Sequence, residues 1–360
     1  MTNIVITDFN AVASCGIGKE EFTGGILSKG NFIKDITFFD AKDIDVKKAF
    51  QIDIDFQAVL GKGGLKHINR NAKIAMSCIE GISGIFNNYP ENEKPAVIMG
   101  SAFGSADSIA EFWEVALREG FAGLRPLDFP NTTINSSGSF INIRYGITNA
   151  SVTVCNGYNS SLEAFIYADD YIKNGYSKWA LVGGSEELGK YNFLGQLKSG
   201  LLSTNDVYDI KLNQGYYPGE GAAFFMVEDI EFAKSNNKKI IAELVGYSSK
   251  FGKEQSVMNL CYKDAFEMAG ISEKEVSVVS SGMNGLRNEN YYSTYENLFS
   301  NHKNIKIVNY KEFFGECYGA SGALQLAAAL SDSKLKSGDY FSIDNFSIDG
   351  NNTVLIFKRN

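Results

Sequence analysis

The sequence predicts an α/β protein with largely buried sheets, and three observations carry that expectation. Short β-branched and apolar runs alternate with segments whose apolar residues recur at helical spacing. The chain is 44% apolar and 21% charged with only five prolines, so it can bury a large core and shows no linker-like stretch. Both halves repeat a coarse strand–helix order, which points to an internal duplication.

Taken in order, residues 3–9 read as a short buried strand, followed by a helix over about 19–29. A compact basic segment, Gly61 to Lys73, feeds a helix through Ile82. It carries Lys62, Lys66, Arg70 and Lys73, and a charge run of this kind is usually a solvated face. Residues 95–100 form the next strand, then Ser101-Ala-Phe-Gly104 leads into a helix through about Arg118. Aromatic residues on that helix, Phe112 and Trp113, are at a spacing more often found in cores than in gates. Further strands are expected over 222–228, 240–248, 276–283, 305–308, 341–346 and 353–358. Helices over 255–268 and 322–335 lie between them.

The organising stretch runs from Asn149 to Glu187. Ser151 to Cys155 is a β-branched run that reads as a buried strand. Asn156-Gly157 signals a turn, and Asn159 or Ser160 can cap the helix that follows. That helix ends at Asn174-Gly175, before the strand Trp179-Ala-Leu-Val-Gly-Gly184. Strand, sharp turn and helix place one side chain at a helix N-terminus, where partial positive charge favours an anionic nucleophile.

Composition excludes several classes. A net charge of −8 argues against nucleic acid or an anionic membrane surface as the main partner. No apolar stretch approaches the roughly 20 residues that span a bilayer, and the opening Met1-Thr-Asn-Ile-Val-Ile-Thr-Asp8 lacks the marks of a signal peptide. A cytoplasmic protein is therefore expected. The cysteines, Cys15, Cys78, Cys155, Cys261 and Cys317, lack the paired spacing of a metal site, and neither metal nor cofactor is expected. Only two histidines occur, His67 and His302.

Over nearly its whole length the chain resembles the thiolase-fold β-ketoacyl synthases. The resemblance rests on the opening strand, on Asp170 to Glu186, and on Gly215-Tyr-Tyr-Pro-Gly-Glu-Gly-Ala-Ala-Phe-Phe-Met-Val-Glu228. It also rests on Ile240 to Gly246, on Lys311-Glu-Phe-Phe-Gly-Glu-Cys-Tyr-Gly-Ala-Ser-Gly-Ala323, and on the last strand. It implies a thiolase-like five-layered αβαβα fold built from two duplicated halves. These would be residues 1–229, carrying inserted cap and interface segments, and 230–360. A dimer across the strand that precedes the nucleophile is also implied.

Against that family the chain departs where the chemistry lies. Counting back from Gly183-Gly184, the nucleophilic cysteine's position falls on Tyr158. The two histidine positions fall near Gly282 and on Glu316, while the lysine is kept as Lys311. The closing gate reads Ser347-Ile-Asp-Gly-Asn-Asn352, which places Ile348 with Tyr158 in a vestigial pocket. Acyl transfer from a thioester suits a corner thiolate; a phenol with a pKa of about 10 is a poor and bulky substitute. The enolate formed by decarboxylating a malonyl group needs the imidazoles, and an ionised Glu316 would repel it. Cys155 could replace the nucleophile, but its odd offset reads instead as a small buried residue on the opposite face of the strand. Cys317, beside Glu316, is a weaker candidate still.

A synthase fold without its catalytic residues is similar to the chain-length factors (KSβ) of type II polyketide synthases. That resemblance implies a heterodimer with an active ketosynthase (KSα) and a tunnel that ends at their interface. Carrier-protein contact would run mainly through the partner, with Lys62, Lys66, Arg70 and Lys73 as a local exception. Phe103 is the first choice of chain-length stop, with Phe112 and Trp113 behind it. The alternatives are a similar partner in aryl polyene or fatty-acid-like biosynthesis, a divergent synthase using Cys155, and a scaffold without a tunnel.

Overall fold

A computed structural model describes residues 3–37, 39–41, 44–84, 86, 89, 93–204, 215–302 and 304–360. The first half contains β1 (Ile4–Ala13), β2 (Gly16–Ile17), α1 (Lys19–Ser28), β3 (Lys34–Asp35), β4 (Lys48–Ala49), α2 (Phe56–Leu60) and α3 (Arg70–Ser83). It continues with β5 (Ala96–Gly100), α4 (Ala106–Glu119), α5 (Ser136–Tyr145), β6 (Ser151–Val154), α6 (Ser160–Lys173), β7 (Trp179–Glu186), α7 (Lys190–Lys198) and β8 (Gly221–Asp229). After α8 (Ile230–Ser235) come β9 (Ala242–Phe251), α9 (Gln255–Ala269), β10 (Val276–Ser280), α10 (Asn288–Phe299) and β11 (Lys306–Val308). The chain closes with α11 (Lys311–Phe314), α12 (Ser321–Ser331), β12 (Tyr340–Phe346) and β13 (Asn351–Arg359).

The main sheet orders its strands β11-β10-β12-β13-β9-β1-β8-β7-β5-β6. One half reads outward β1-β8-β7-β5-β6, the other β9-β13-β12-β10-β11. Each has two antiparallel pairings followed by two parallel ones. The halves join where β1 pairs antiparallel with β9. Identical order and direction in both is the duplication expected of a thiolase-like fold.

Five layers follow from which faces the helices cover. α3 and α5 pack on the outer face of the first half, around Ile74, Ile79 and Phe224. α6 and α12 lie between the halves and touch both, so α12 is buried from Ser321 to Leu330 and mostly apolar, with Gln325 hydrogen-bonded to the Ser280 and Asp344 carbonyls. α9 and α10 cover the outer face of the second half through Tyr262, Phe266 and Tyr295. β7, enclosed on both faces, is buried at every residue.

Two expectations around the corner are corrected. The run predicted as a buried strand through Cys155 ends at Val154 and forms the outer edge of the sheet. Ser151 is exposed there and Val152 half-buried, because β-branched residues fit any pleated surface and do not themselves report burial. Neither Asn159 nor Ser160 caps α6 with its side chain. Ser160 Oγ donates back to the Gly157 carbonyl at 2.6 Å, and Asn159 is spent on Thr353 and Asn345 across the other half.

Candidate active site

β6 and β7 both run parallel to β5, and their C-terminal ends point to one crevice where α6 and α12 meet end to end. Ser161 Oγ accepts from the Ala323 amide at 3.0 Å, linking the two helix starts. The turn at 157–159 delivers Tyr158 to this crevice, where it is 6% exposed. Asn345 Nδ2 holds the Tyr158 carbonyl at 2.8 Å.

The corner is filled by aromatic rings. Tyr158 meets Tyr216 and Tyr318 edge to face at 6.2 and 5.6 Å, and Phe103 stands on Tyr318 at 5.3 Å. The Tyr158 and Tyr216 hydroxyls are 2.8 Å apart. Tyr216 donates onward to Gln196 Oε1 at 2.7 Å, which leaves Tyr158 as donor in the first link. Burial, and secondly the Glu316 charge, push the Tyr158 phenol well above its ordinary range, so no phenolate nucleophile forms near neutral pH. The Tyr318 hydroxyl has no hydrogen-bond partner among the described residues.

Across the crevice, Lys311 and Glu316 form an ion pair at 2.7 Å with side chains 1% and 0% exposed. Lys311 Nζ also donates to the Gly282 carbonyl at 2.8 Å. Glu316 accepts further from Asn284 at 2.6 Å, from the Tyr318 amide at 3.0 Å and from Ser321. The Glu316 carboxylate is thus spent on structure, and it offers no N–H of the kind an imidazole would donate to an enolate oxygen. Gly282 admits no side chain at all: a Cβ there would sit 2.4 Å from the Asp344 carbonyl oxygen. The neighbouring Asp344 carboxyl is fully buried, and burial pushes it up to about 6 although Tyr262, Gly282 N and Tyr295 hydrogen-bond it.

Cys155 is exposed, which corrects the expectation of a small buried strand residue. It stands one residue past the end of β6, its Sγ 3.7 Å from the Ala102 carbonyl. Partial burial and the Glu186 charge push its pKa up, so it lacks the electropositive setting of a reactive thiol. Cys317 is buried, its pKa raised well above the ordinary value by burial and by Glu316. His67 lies 3.9 Å from Asp128, and His302 sits in the turn after α10.

The remaining predicted residues divide. Phe103 joins the Tyr158 cluster. Phe112 lies against Phe129 at 6.2 Å, and Trp113 is 54% exposed; no residue of α4 is buried, so neither ring is in the core. Ile348 is half-buried at the tip of the β12–β13 hairpin. Lys62 and Lys66 are exposed. Arg70 instead makes a bidentate contact with the buried Glu220 at 2.8 and 2.6 Å, and Lys73 is held below the usual lysine range by burial and the Arg70 charge.

Sequence reasoning missed Glu186. Fully buried at the end of β7, its carboxylate accepts from Ser101 Oγ at 3.0 Å and from the amides of Ala102, Phe103 and Gly319 at 2.7, 2.9 and 3.2 Å. Burial pushes it up to about 7 against those four donors. A glutamate closing an otherwise apolar buried strand was the available signal.

No helix among the described residues is long and apolar enough to cross a membrane. None of their His, Cys, Asp and Glu side chains form a group of three or more that could hold a metal.

A duplicated αβαβα fold whose crevice lies at two helix N-termini defines the acyltransferase-type ketosynthase fold. The chain belongs to the β-ketoacyl synthase family, whose N-terminal domain matches residues 1–233. It is 23% identical over 345 residues to 3-oxoacyl-[acyl-carrier-protein] synthase 2 of Coxiella burnetii, spanning 89% of this chain and 83% of that one. Its structure superimposes on the ishigamide ketosynthase/chain length factor with a TM-score of 0.88 and 21% identity, over 100% of this chain and 99% of the other. A type II polyketide synthase acyl-carrier protein in complex with its ketosynthase gives a TM-score of 0.87 at 18% identity, over 100% and 99%.

Proposed function

We propose that this chain is the chain-length factor (KSβ) subunit of a type II polyketide synthase, without condensing activity of its own. The observation that carries the reading is the occupied corner. Tyr158 stands at the nucleophile's position and is tied to Tyr216. The second histidine position is locked into the Lys311–Glu316 pair, and Gly282 has no room for the first. A nucleophile, two imidazoles and access for a thioester are all wanting together.

A partner is supported by an exposed apolar surface on α4 and the segments it packs against. Ile109, Trp113 and Leu117 recur every four residues along α4 at 39%, 54% and 84% exposure, and Phe121, Leu127 and Phe129 continue the apolar face. A run of exposed apolar side chains of this kind is costly to leave wet. An active ketosynthase (KSα) covering it would complete the tunnel, with Phe103 as the stop and Phe112 and Trp113 nearer the interface. Carrier protein would bind mainly through the partner, with Lys62 and Lys66 as the exposed basic residues on this side. We place the boundary between the halves after Asp229, where β8 ends. The protein acts in the cytoplasm, and an aromatic polyketide is favoured over an aryl polyene as product.

The test is co-expression with a cysteine-containing ketosynthase, followed by product analysis on malonyl-loaded carrier protein. A stable pair, products only from the pair, and longer chains with Phe103→Ala are expected. Condensation by this chain alone would overturn the reading. Unchanged product length with Phe103→Ala would reduce the chain to a scaffold.

A further inference from the structure

We propose that Glu186 is the positioning residue of the chain-length gate, holding the Phe103 and Tyr318 segments against each other. The inference rests on the reading of Phe103 as the stop.

The two segments are far apart in sequence, one following β5 and the other preceding α12. Their backbones meet at a single carboxylate. Glu186 Oε1 accepts from Ser101 Oγ and from the Phe103 amide; Oε2 accepts from the Ala102 and Gly319 amides. One side chain thereby fixes the residue before and the residue at the ring on one side, and the residue after the ring on the other. The rings so placed, Phe103 and Tyr318, stand at an interplanar angle of 89°.

Two features show that the approach is forced rather than incidental. Tyr318 holds φ at +46°, a conformation that a tyrosine keeps only when its surroundings over-determine it. A Cβ on Gly319 would lie 2.4 Å from the Ala102 nitrogen and 2.9 Å from Glu186 Oε2, so the segments close only because residue 319 is glycine. No other described side chain bonds both segments of the gate.

Carboxylate chemistry matters here. Four donors converge on two oxygens, and an amide replaces one oxygen with a group that itself donates. Glu186→Gln therefore turns two attractive contacts into donor–donor clashes while keeping size and shape. Phe103 would then sample several positions, and the tunnel would end at several depths. Glu186→Asp keeps the charge on a shorter arm and should restore part of the geometry.

The experiment uses the complex with its co-purified ketosynthase, supplied with malonyl-loaded carrier protein, and reads product lengths by mass spectrometry. Phe103→Ala, Glu186→Gln, Glu186→Asp and Ser101→Ala are compared with wild type. Glu186→Gln is expected to broaden the profile toward longer chains with total turnover retained, and Glu186→Asp to narrow it again. Phe103→Ala lengthening the product while Glu186→Gln leaves the profile unchanged overturns the positioning role alone. Phe103→Ala without effect overturns the gate reading beneath it. Should Glu186→Gln fail to fold, Ser101→Ala carries the test: it removes one donor, should broaden the profile weakly, and an unchanged profile counts against the proposal.

Discussion

The Lys311 ammonium lies 2.7 Å from the Glu316 carboxylate, and both side chains are shut off from solvent. The pair ties the loop after β10 to the start of α12. Breaking one partner of such a pair strands a buried charge, at a cost of about 3–5 kcal/mol. Glu316→Gln should therefore lower the urea midpoint sharply, and adding Lys311→Met should recover part of the loss. A double variant no more stable than Glu316→Gln would show that the pair is not coupled.

Reinstalling catalytic residues should fail. Tyr158→Cys with Glu316→His supplies a thiol and one imidazole, but the second imidazole has no place. Gly282→His must displace the Asp344 carbonyl, and overpacking of this kind costs about 1–3 kcal/mol or more. The double variant should neither decarboxylate malonyl-loaded carrier protein nor extend it. Any condensation product above background would mean that the crevice still admits substrate.

The tyrosine cluster offers a contrast between two hydroxyls. Tyr158→Phe breaks the link to Tyr216 and should cost about 1 kcal/mol. Tyr318→Phe deletes a buried hydroxyl that has no partner among the described residues, so stability should stay level or rise by about 1 kcal/mol. Thermal unfolding of the two variants side by side decides it, and equal losses would contradict the hydrogen-bond assignment.

Much of the architecture could be read from residue pattern, because strands buried on both faces leave continuous apolar runs and helices between them leave periodic ones. Counting from Gly183-Gly184 placed Tyr158 at the corner, since turn and helix lengths there are fixed by packing. What escaped depends on contacts distant in sequence. Glu186 meets its donors across 83 to 133 residues, and no local pattern reports that. Cys155 was misjudged because a β-branched run looks the same at a sheet's edge as at its centre. Arg70 looked like a surface charge, although its guanidinium is bound to a carboxylate 150 residues away.

Stability should fall as pH rises through the neutral range, and Glu187 gives the clearest handle. Burial first, then the Asp107 charge, push it up to about 8 from an ordinary 4.5. A carboxyl raised in the folded state contributes stability that is complete below the unfolded value and is lost as pH climbs through the folded one. Glu187→Gln stays neutral and keeps an acceptor for the Asn71 amide. Its melting temperature should match wild type near about pH 5 and exceed it increasingly toward about pH 8.5, since each pKa unit is worth about 1.4 kcal/mol. The adjacent Glu186 charge adds to the rise on Glu187, so the difference between the two proteins reports the coupled pair. A gap independent of pH would place the Glu187 proton elsewhere.

Cys155 separates the subunit reading from the enzyme reading. Of the five free cysteines it alone is exposed; Cys15, Cys78, Cys261 and Cys317 are buried. Iodoacetamide should therefore label the isolated chain at Cys155 only. Labelling should be slow at neutral pH, because the thiol's pKa is raised and the thiolate is the reacting form. Within the complex, a partner seated along β6 should protect it further. Cys155→Ser should leave both product length and turnover as in wild type. Rapid labelling by an acyl probe, together with loss of product in Cys155→Ser, would instead make this chain a divergent synthase whose nucleophile lies three residues before the familiar corner.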